Sequence, residues 1–291
     1  MILRWRGWSL SLTILGLVLI ALALIFLLVI FPGMIKMPAD YEQEYGFEGS
    51  IQVYVAELEE LVPIQTQMTR ELTATGVTDD DVLLLRQDIT FFEATSGAPL
   101  AAINPALASL NTSEVYGLDR TERTNVSGEG DMNRSGQFTF PADVQQETYQ
   151  YWSSSTRTTL PATFEGEETY QDLNVYVFEI NSDGNAYLPD EATGLPRTMD
   201  VYARIKVEPV SGIPVYALSR TTINLQHPQA GSMPVLINES EYTSDTIDNL
   251  SEDAKSAKML ILIASVYGFW IVIGLGAVLT LGGVIVAARS D

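Results

Sequence analysis

A mainly β domain carried between two membrane-spanning α-helices is the fold class that this 291-residue sequence predicts. Three observations carry it. Each end of the chain holds a long uncharged apolar run, the middle alternates apolar and polar residues at the strand period of two, and Gly, Pro, Asn and Asp clusters punctuate that alternation at turn spacing. These features divide the chain into terminal residues 1–8 and 289–291, spans at 9–31 and 259–288, a β-rich domain at 32–242 and an amphipathic helix at 243–258.

No charge occurs from Gly7 to Phe31, and Leu10 to Ile30 is almost wholly Leu, Ile, Val and Ala. A hydrocarbon core of roughly 30 Å needs about 20 such residues in a helix. The run is too long for the apolar region of a secretory signal, and no small-x-small cleavage site follows before Phe31-Pro32, so it reads as an anchor. The second run, Met259 to Ala288, would extend about 45 Å as a helix, so part of it tilts or protrudes. Tyr267 and Trp270 mark an interface belt. Ala264, Gly268, Gly276 and Thr280 bring small residues to helical spacing, as expected where another helix docks, either this chain's first span or a partner subunit.

Arg4, Arg6 and Arg289 lie on one side of the spans and Lys36, Lys255 and Lys258 on the other, so a bare count of cations does not orient the chain. The arginines near the N-terminus, with the small effect of acidic residues on topology, place both ends in the cytoplasm and the middle outside the cytoplasmic membrane. Residues 32–258 carry 36 of the 37 acidic residues against 13 basic ones, a formal charge of −23. Such a surface repels nucleic acid, which requires clustered Lys and Arg. The chain has no cysteine, and the middle segment is long enough to fold on packing alone.

The organising stretch is Val207-Glu208-Pro209-Val210-Ser211-Gly212-Ile213-Pro214-Val215, read as strand, tight turn and returning strand. Its spacing recurs in Phe92-Glu93-Ala94-Thr95-Ser96-Gly97-Ala98-Pro99-Leu100. Repeated hairpins predict a curved sheet or half-barrel. Further strands are expected around Ile51 to Val55, Ile64 to Met68, Val82 to Glu93, Leu160 to Glu167, Asn174 to Ile180, Val201 to Val207, Thr221 to Gln226 and Val235 to Asn238. Asn181-Ser182-Asp183-Gly184 reads as a turn and 104–136 as a long loop. Thr243 to Lys258 turns helical, with Ile247, Leu250, Ala254 and Ala257 on one stripe and no breaker before the second span.

Candidate chemistry is sparse. Asp79-Asp80-Asp81 reads as a solvated turn, because adjacent residues on extended backbone point opposite ways. Asp131-x-Asn133-x-Ser135-Gly136 opens like a calcium-binding loop, but Ala142 stands where the bidentate Glu is required, so no metal is expected. Five Asn-x-Ser/Thr sequons, at Asn111, Asn125, Asn133, Asn238 and Asn249, are glycosylation acceptors wherever the machinery exists. Phe138, Phe140, Tyr149, Tyr151, Trp152, Phe164, Tyr176 and Phe178 either line a lipid-sized groove or fill the core of a sheet. His227 is the one histidine and lies beside Pro228, and without a thiol no nucleophile or zinc set is apparent, so neither an enzyme nor a cofactor is expected.

Several ordered segments resemble the porin PorA family, envelope proteins found mainly in actinobacteria. They are Phe31-Pro32 followed by Ile35-Lys36-Met37-Pro38, Phe140-Pro141 with Tyr149-Gln150-Tyr151-Trp152, and Leu160-Pro161-Ala162-Thr163-Phe164-Glu165-Gly166-Glu167-Glu168. Leu173 to Glu179, Val207 to Gly212, and Glu241-Tyr242-Thr243 leading to Ala254-Lys255 continue the series. The resemblance implies a helix at each end, a β-rich domain between and, by the family's name, a pore. The residues point elsewhere: neither span holds an ionisable group to line an aqueous path, and the strands are too acidic for a lipid-facing barrel. The hairpins also resemble, at fold level, the half-barrels of lipoprotein carriers. The expected function is non-enzymatic: a structural or accessory subunit of a membrane assembly, with a lipid-binding module and a pore-forming oligomer as alternatives. The expected partners are the bilayer, other membrane subunits or a second copy, and lipid.

Overall fold

A computed structural model describes residues 7–229 and 231–289, so Arg4 and Arg6 lie outside the described residues. The chain separates into a unit formed by its two ends and a second unit, Met37–Lys255.

In the first unit, α1 (Gly7–Ile25) passes through a π-helical turn at Phe26–Ile30 into α2 (Phe31–Met34). The other partner is α5 (Gly268–Arg289), preceded by a π-helical turn at Ile263–Tyr267. Both helices are long and apolar enough to cross a membrane. Their packing inverts the pattern of a water-soluble helix: Ser9, Thr13, Gly16 and Ala23 are buried in α1, and Gly276, Gly283 and Ala287 in α5, while Leu17, Leu28, Ile271 and Leu281 are exposed. A Cβ on Gly16 would overlap Gly276 and Thr280, and one on Gly283 would overlap Ser9 and Thr13, so the pair runs antiparallel with backbones in close approach. The hydroxyls of Thr13 and Thr280 donate to the carbonyls four residues earlier, at 3.0 and 2.8 Å, leaving neither polar group unsatisfied in an apolar span.

The second unit is an eleven-stranded antiparallel sheet. Its strands are β1 (Glu42–Val55), β2 (Glu60–Val77), β3 (Val82–Glu93), β4 (Thr112–Asp119), β5 (Asn125–Gly130), β6 (Tyr149–Ser153), β7 (Thr158–Tyr170), β8 (Leu173–Tyr187), β9 (Arg197–Glu208), β10 (Ile213–His227) and β11 (Gly231–Tyr242). The first and last strands are neighbours, Phe47 facing Tyr242, and a meander runs outward on each side in the order β5-β4-β3-β2-β1-β11-β10-β9-β8-β7-β6. The ladder is open, and its edge strands meet a shared linker. Asn125 N–H donates to Gly136 O and Phe138 N–H to Arg123 O on one side. On the other, Gln137 N–H donates to Gln150 O, and Trp152 N–H to Gln137 O.

One sheet face supplies most of the core. Leu83, Leu85 and Leu118 are wholly buried, each side chain contributing about 2 kcal/mol through removal from water. They join Tyr45, Phe47, Leu72, Tyr116, Phe138 and Tyr242, with Ile247 and Leu250 from the helix α4 (Ser244–Leu262). Thr243 caps α4: its Oγ1 accepts from Thr246 N–H at 3.3 Å, and Asp245 favours the positive helix start. Thr246 Oγ1 accepts from Gly46 N–H at 2.9 Å and thereby fixes the helix start to β1.

The repeated motif is one turn built twice. Glu208 accepts from Ser211 N–H and Oγ–H, both at 2.8 Å, and Glu93 accepts from Ser96 N–H and Oγ–H at 2.7 and 2.6 Å. Gly212 and Gly97 donate to the carbonyls of Glu208 and Glu93, with φ of 72° and 68°. Hydrogen bonds from Ser96 and Thr95 hold the Glu93 carboxyl down to about 2. The copies differ in their surroundings: Asp143 and Val144 N–H donate to Val210 and Pro209, so the second turn is covered and Glu208 is fully buried.

Three expectations need correction. The return after Gly97 is α3 (Leu100–Ile103), where Leu100 drops into the core, so the first copy does not close a β-hairpin. The supposed loop 104–136 contains a short 3₁₀ helix at Pro105–Leu110 as well as β4 and β5, whose polar outer faces mask their alternation. Asn181 to Gly184 lies inside β8 as a bulge between Ser182 and Asn185, where Gly184 N–H donates to Asp200 at 2.7 Å. The amphipathic helix and the second apolar run do join as expected, since helical residues run from Ser244 to Arg289 without a break.

The two turn glycines separate conformational strain from close approach. Gly212→Ala, whose Cβ would overlap the Pro141 carbonyl, is expected to cost about 3 kcal/mol, and Gly97→Ala, with open space there, about 1 kcal/mol. Urea unfolding of the full chain, followed by near-UV circular dichroism, checks the difference. Equal losses would contradict it.

Candidate functional site

The inner face of β1 to β4 carries a polar chain through an otherwise aromatic core. Tyr45 faces Arg70 across the β1–β2 ladder, Leu85 faces Tyr116 and Gln87 faces Glu114 across β3–β4, and strand alternation puts these side chains on one face. Arg70 Nε–H donates to Gln87 Oε1 at 2.7 Å, and Gln87 Nε2–H donates to Tyr116 OH at 3.3 Å. Tyr116 OH gives its single proton to Glu114 Oε2 at 2.5 Å, so Ser154 Oγ, 2.8 Å away, is the donor in its contact with the phenol. Burial and then the Glu114 hydrogen bond push the Tyr116 phenol up to about 12.

Arg134, whose side chain is 2% exposed, continues the network. Its guanidinium stacks 4.1 Å from the Tyr116 ring centre, pairs with Asp131 at 2.5 Å and lies 3.5 Å from Glu114. Burial raises the Asp131 carboxyl, but Arg134 and the Val115 N–H outweigh that and hold it low. The stretch that opens like a calcium loop is therefore a clamp on an arginine. Among the described residues no carboxylate, histidine and thiol cluster is arranged to hold a metal. Asp81, in the triple-aspartate turn, pairs with Arg120 at 2.6 Å.

The eight aromatic positions divide between two clusters. Phe140, Tyr149 and Phe178 are buried together with Tyr151, Phe164 and Tyr176 packed on them; Phe140 and Phe178 have no exposed surface and their rings lie 4.5 Å apart. Phe138 and Trp152 belong to the core around Tyr116. Of the sequon residues, Asn133 and Asn249 are exposed, and Asn111, Asn125 and Asn238 are half-buried. Asn111 accepts from Phe91 N–H at 2.9 Å, and Asn125 uses its amide nitrogen on Gly136 O at 3.1 Å. Among the candidate docking residues, Gly276 and Thr280 lie against Gly16 of α1, whereas Gly268 meets its own helix at Ile263 O and Ala264 sits half-buried in the π-helical turn.

Sequence reading missed Arg70, Gln87, Tyr116 and Arg134. A signal was present: Arg70 and Gln87 sit in phase with apolar residues of their strands, Leu72 and Leu85 among them, where a half-buried strand ordinarily places Val or Leu.

Comparison with known families settles the relationship. The porin PorA family model matches residues 8–285, which takes in both terminal helices and the whole sheet. The chain belongs to the porin PorA family. Within this member, two of the segments that carried the resemblance fall at structural joints: Val207 to Gly212 forms the covered turn, and Glu241-Tyr242-Thr243 leads from β11 into the α4 cap. No curated protein matches the chain. Family membership and the two apolar helices associate it with a membrane of the cell envelope.

Removing the hub of the polar chain tests its weight. Tyr116→Phe leaves Gln87 and Glu114 short of partners and is expected to cost about 1–3 kcal/mol near neutral pH. A phenol raised to about 12 in the fold from its ordinary 10.0 stabilises fully below pH 10 and loses that contribution as pH rises through about 12. The stability gap between wild type and Tyr116→Phe should therefore narrow over that window in urea titrations. A gap that stayed constant would contradict it.

Proposed function

We propose that this protein is a two-pass membrane-anchored component of the cell envelope, with a non-enzymatic extracytoplasmic sheet domain that serves as an accessory or structural subunit of a membrane assembly. The observation that carries this reading is the terminal helix pair. Small residues face inward along an antiparallel seam, and large aliphatic ones face outward, an arrangement that gains nothing in water and suits hydrocarbon. Antiparallel packing also sets the first and last described residues at the same end of the pair. With both ends cytoplasmic, residues 37–255 lie outside.

The absence of native cysteine makes the test direct, since each introduced thiol reports alone. In intact spheroplasts, Glu57→Cys and Glu191→Cys, both exposed, are expected to react with a membrane-impermeant maleimide. Arg289→Cys is expected to react only after permeabilisation. Labelling of Arg289→Cys in intact spheroplasts would overturn the topology.

The family's name supplies a second reading, a pore-forming oligomer. No Asp, Glu, Lys, Arg or His occurs from 7 to 34 or from 259 to 288, so these helices offer ions no charged or strongly solvating path. Purified full-length protein in planar lipid bilayers is expected to give no unitary conductance. Recurrent steps of fixed size, absent from a mock preparation, would favour the pore.

A further inference from the structure

Three arginines stand around the sheet core and differ in what answers their charge. Arg134 meets Asp131 and Glu114, and Arg123 donates to the carbonyls of Phe140, Ser211 and Gly212. Arg70 has no carboxylate within ion-pair distance among the described residues. Its Nε–H reaches Gln87, and neither Nη atom is hydrogen-bonded. Its immediate neighbours are rings, with Tyr45 and Phe138 centred 5.5 and 5.3 Å from Cζ.

Two facts locate this guanidinium. Burial is the largest single influence on its charge and disfavours it, though the surrounding tyrosines together outweigh it, and the residue keeps accessible surface, its Nη atoms not being among the sealed, unpartnered polar atoms of the interior. An outer-face arginine would be hydrated, and one enclosed in the core would need a carboxylate or an array of carbonyls. The guanidinium is therefore largely desolvated yet not sealed from solvent, it has no carboxylate partner, and both Nη groups remain without hydrogen bonds.

We propose that Arg70 is the anion-binding group of a ligand site inside the sheet, taking a carboxylate or phosphate oxyanion whose apolar remainder rests against Tyr45, Phe138 and Tyr242. Two free Nη groups match the paired oxygens of such a headgroup. The aromatic walls add affinity for an attached hydrocarbon, which a bare anion would forgo. The strongly acidic segment around the site repels free anions, so an amphiphile drawn in by its apolar body is the favoured source. The site is separate from the helix pair, and it stands whether or not the accessory role holds.

Isothermal titration calorimetry on the purified full chain in a neutral maltoside detergent tests the site with hexanoate, hexanol and inorganic phosphate. Saturable hexanoate binding is expected, with hexanol at least tenfold weaker. Arg70→Met is expected to weaken hexanoate binding at least tenfold, while Arg86→Met, at an exposed arginine of β3, leaves it unchanged. Phosphate binding equal to that of hexanoate would support the oxyanion site and assign it to free anions. Equal binding of hexanol and hexanoate, an Arg70→Met chain that binds as the wild type does, or no saturable binding of either anion would overturn the proposal. If Arg70→Met fails to fold, wild-type protein treated with phenylglyoxal decides the question by peptide mass spectrometry. Hexanoate is expected to protect Arg70 from modification, and an unprotected Arg70 would overturn the site.

Discussion

Pairing of the first sheet strand with the last is the constraint on which the β unit depends. With Phe47 opposite Tyr242, the two meanders spread from a common centre, and the free edges fall to β5 and β6, strands from the middle of the sequence. Free edges present unpaired N–H and C=O groups that would template aggregation. The linker at 136–138 answers both edges at once, through Gly136 and Phe138 toward β5 and through Gln137 toward β6. That linker also delivers Phe138 to the core, where its ring packs 4.7 Å from Tyr116. Edge protection and core packing are thus served by the same few residues.

The interior is neither wholly apolar nor uniformly compensated. Charge buried without a partner costs several kcal/mol, so most folds answer it with a carboxylate or an array of carbonyls. Arg134 receives the first treatment and Arg123 the second. Gln87 and Tyr116 connect Arg70 to Glu114 through hydrogen bonds while keeping the two charges out of contact. The result is a polar path across an aromatic core with an open guanidinium at one end. Stability alone would have favoured an aliphatic residue at that position.

The helix pair is packed in a way that suits a different solvent. In water, burying Gly, Ser and Thr while exposing Leu and Ile would waste the hydrophobic effect; in hydrocarbon the aliphatic chains are indifferent to lipid, and close backbone packing provides the attraction. Gly16, Gly276 and Gly283 permit that approach, and Thr13 and Thr280 satisfy their hydroxyls on carbonyls within their own helices. The family match covers both helices as well as the sheet, so this pairing belongs to the architecture of the family member and not to an appended anchor.

Both spans, the long strands β1 to β3 and β7 to β11, the α4 stripe and the repeated Glu-x-x-Ser-Gly turn were legible in the sequence. Each depends on chemistry within a few neighbouring residues: hydrophobic run length, a period of two or 3.6, or a carboxylate three residues before a serine. The family could be read too, because its marks are short ordered segments. Other features needed the tertiary structure. The polar strand β4 looks like loop until Leu83 and Leu85 are seen opposite Leu118 and Tyr116. Identical turns at Glu93 and Glu208 acquire a helix in one case and a covered hairpin in the other, because distant segments differ. Arg70 and Arg134 owe their different surroundings mainly to distant segments. Asp131 lies three residues before Arg134, but only the assembled sheet brings Glu114 to Arg134 and aromatic rings to Arg70, since a side chain's partners across a ladder are set by strand order and register, which the sequence does not state.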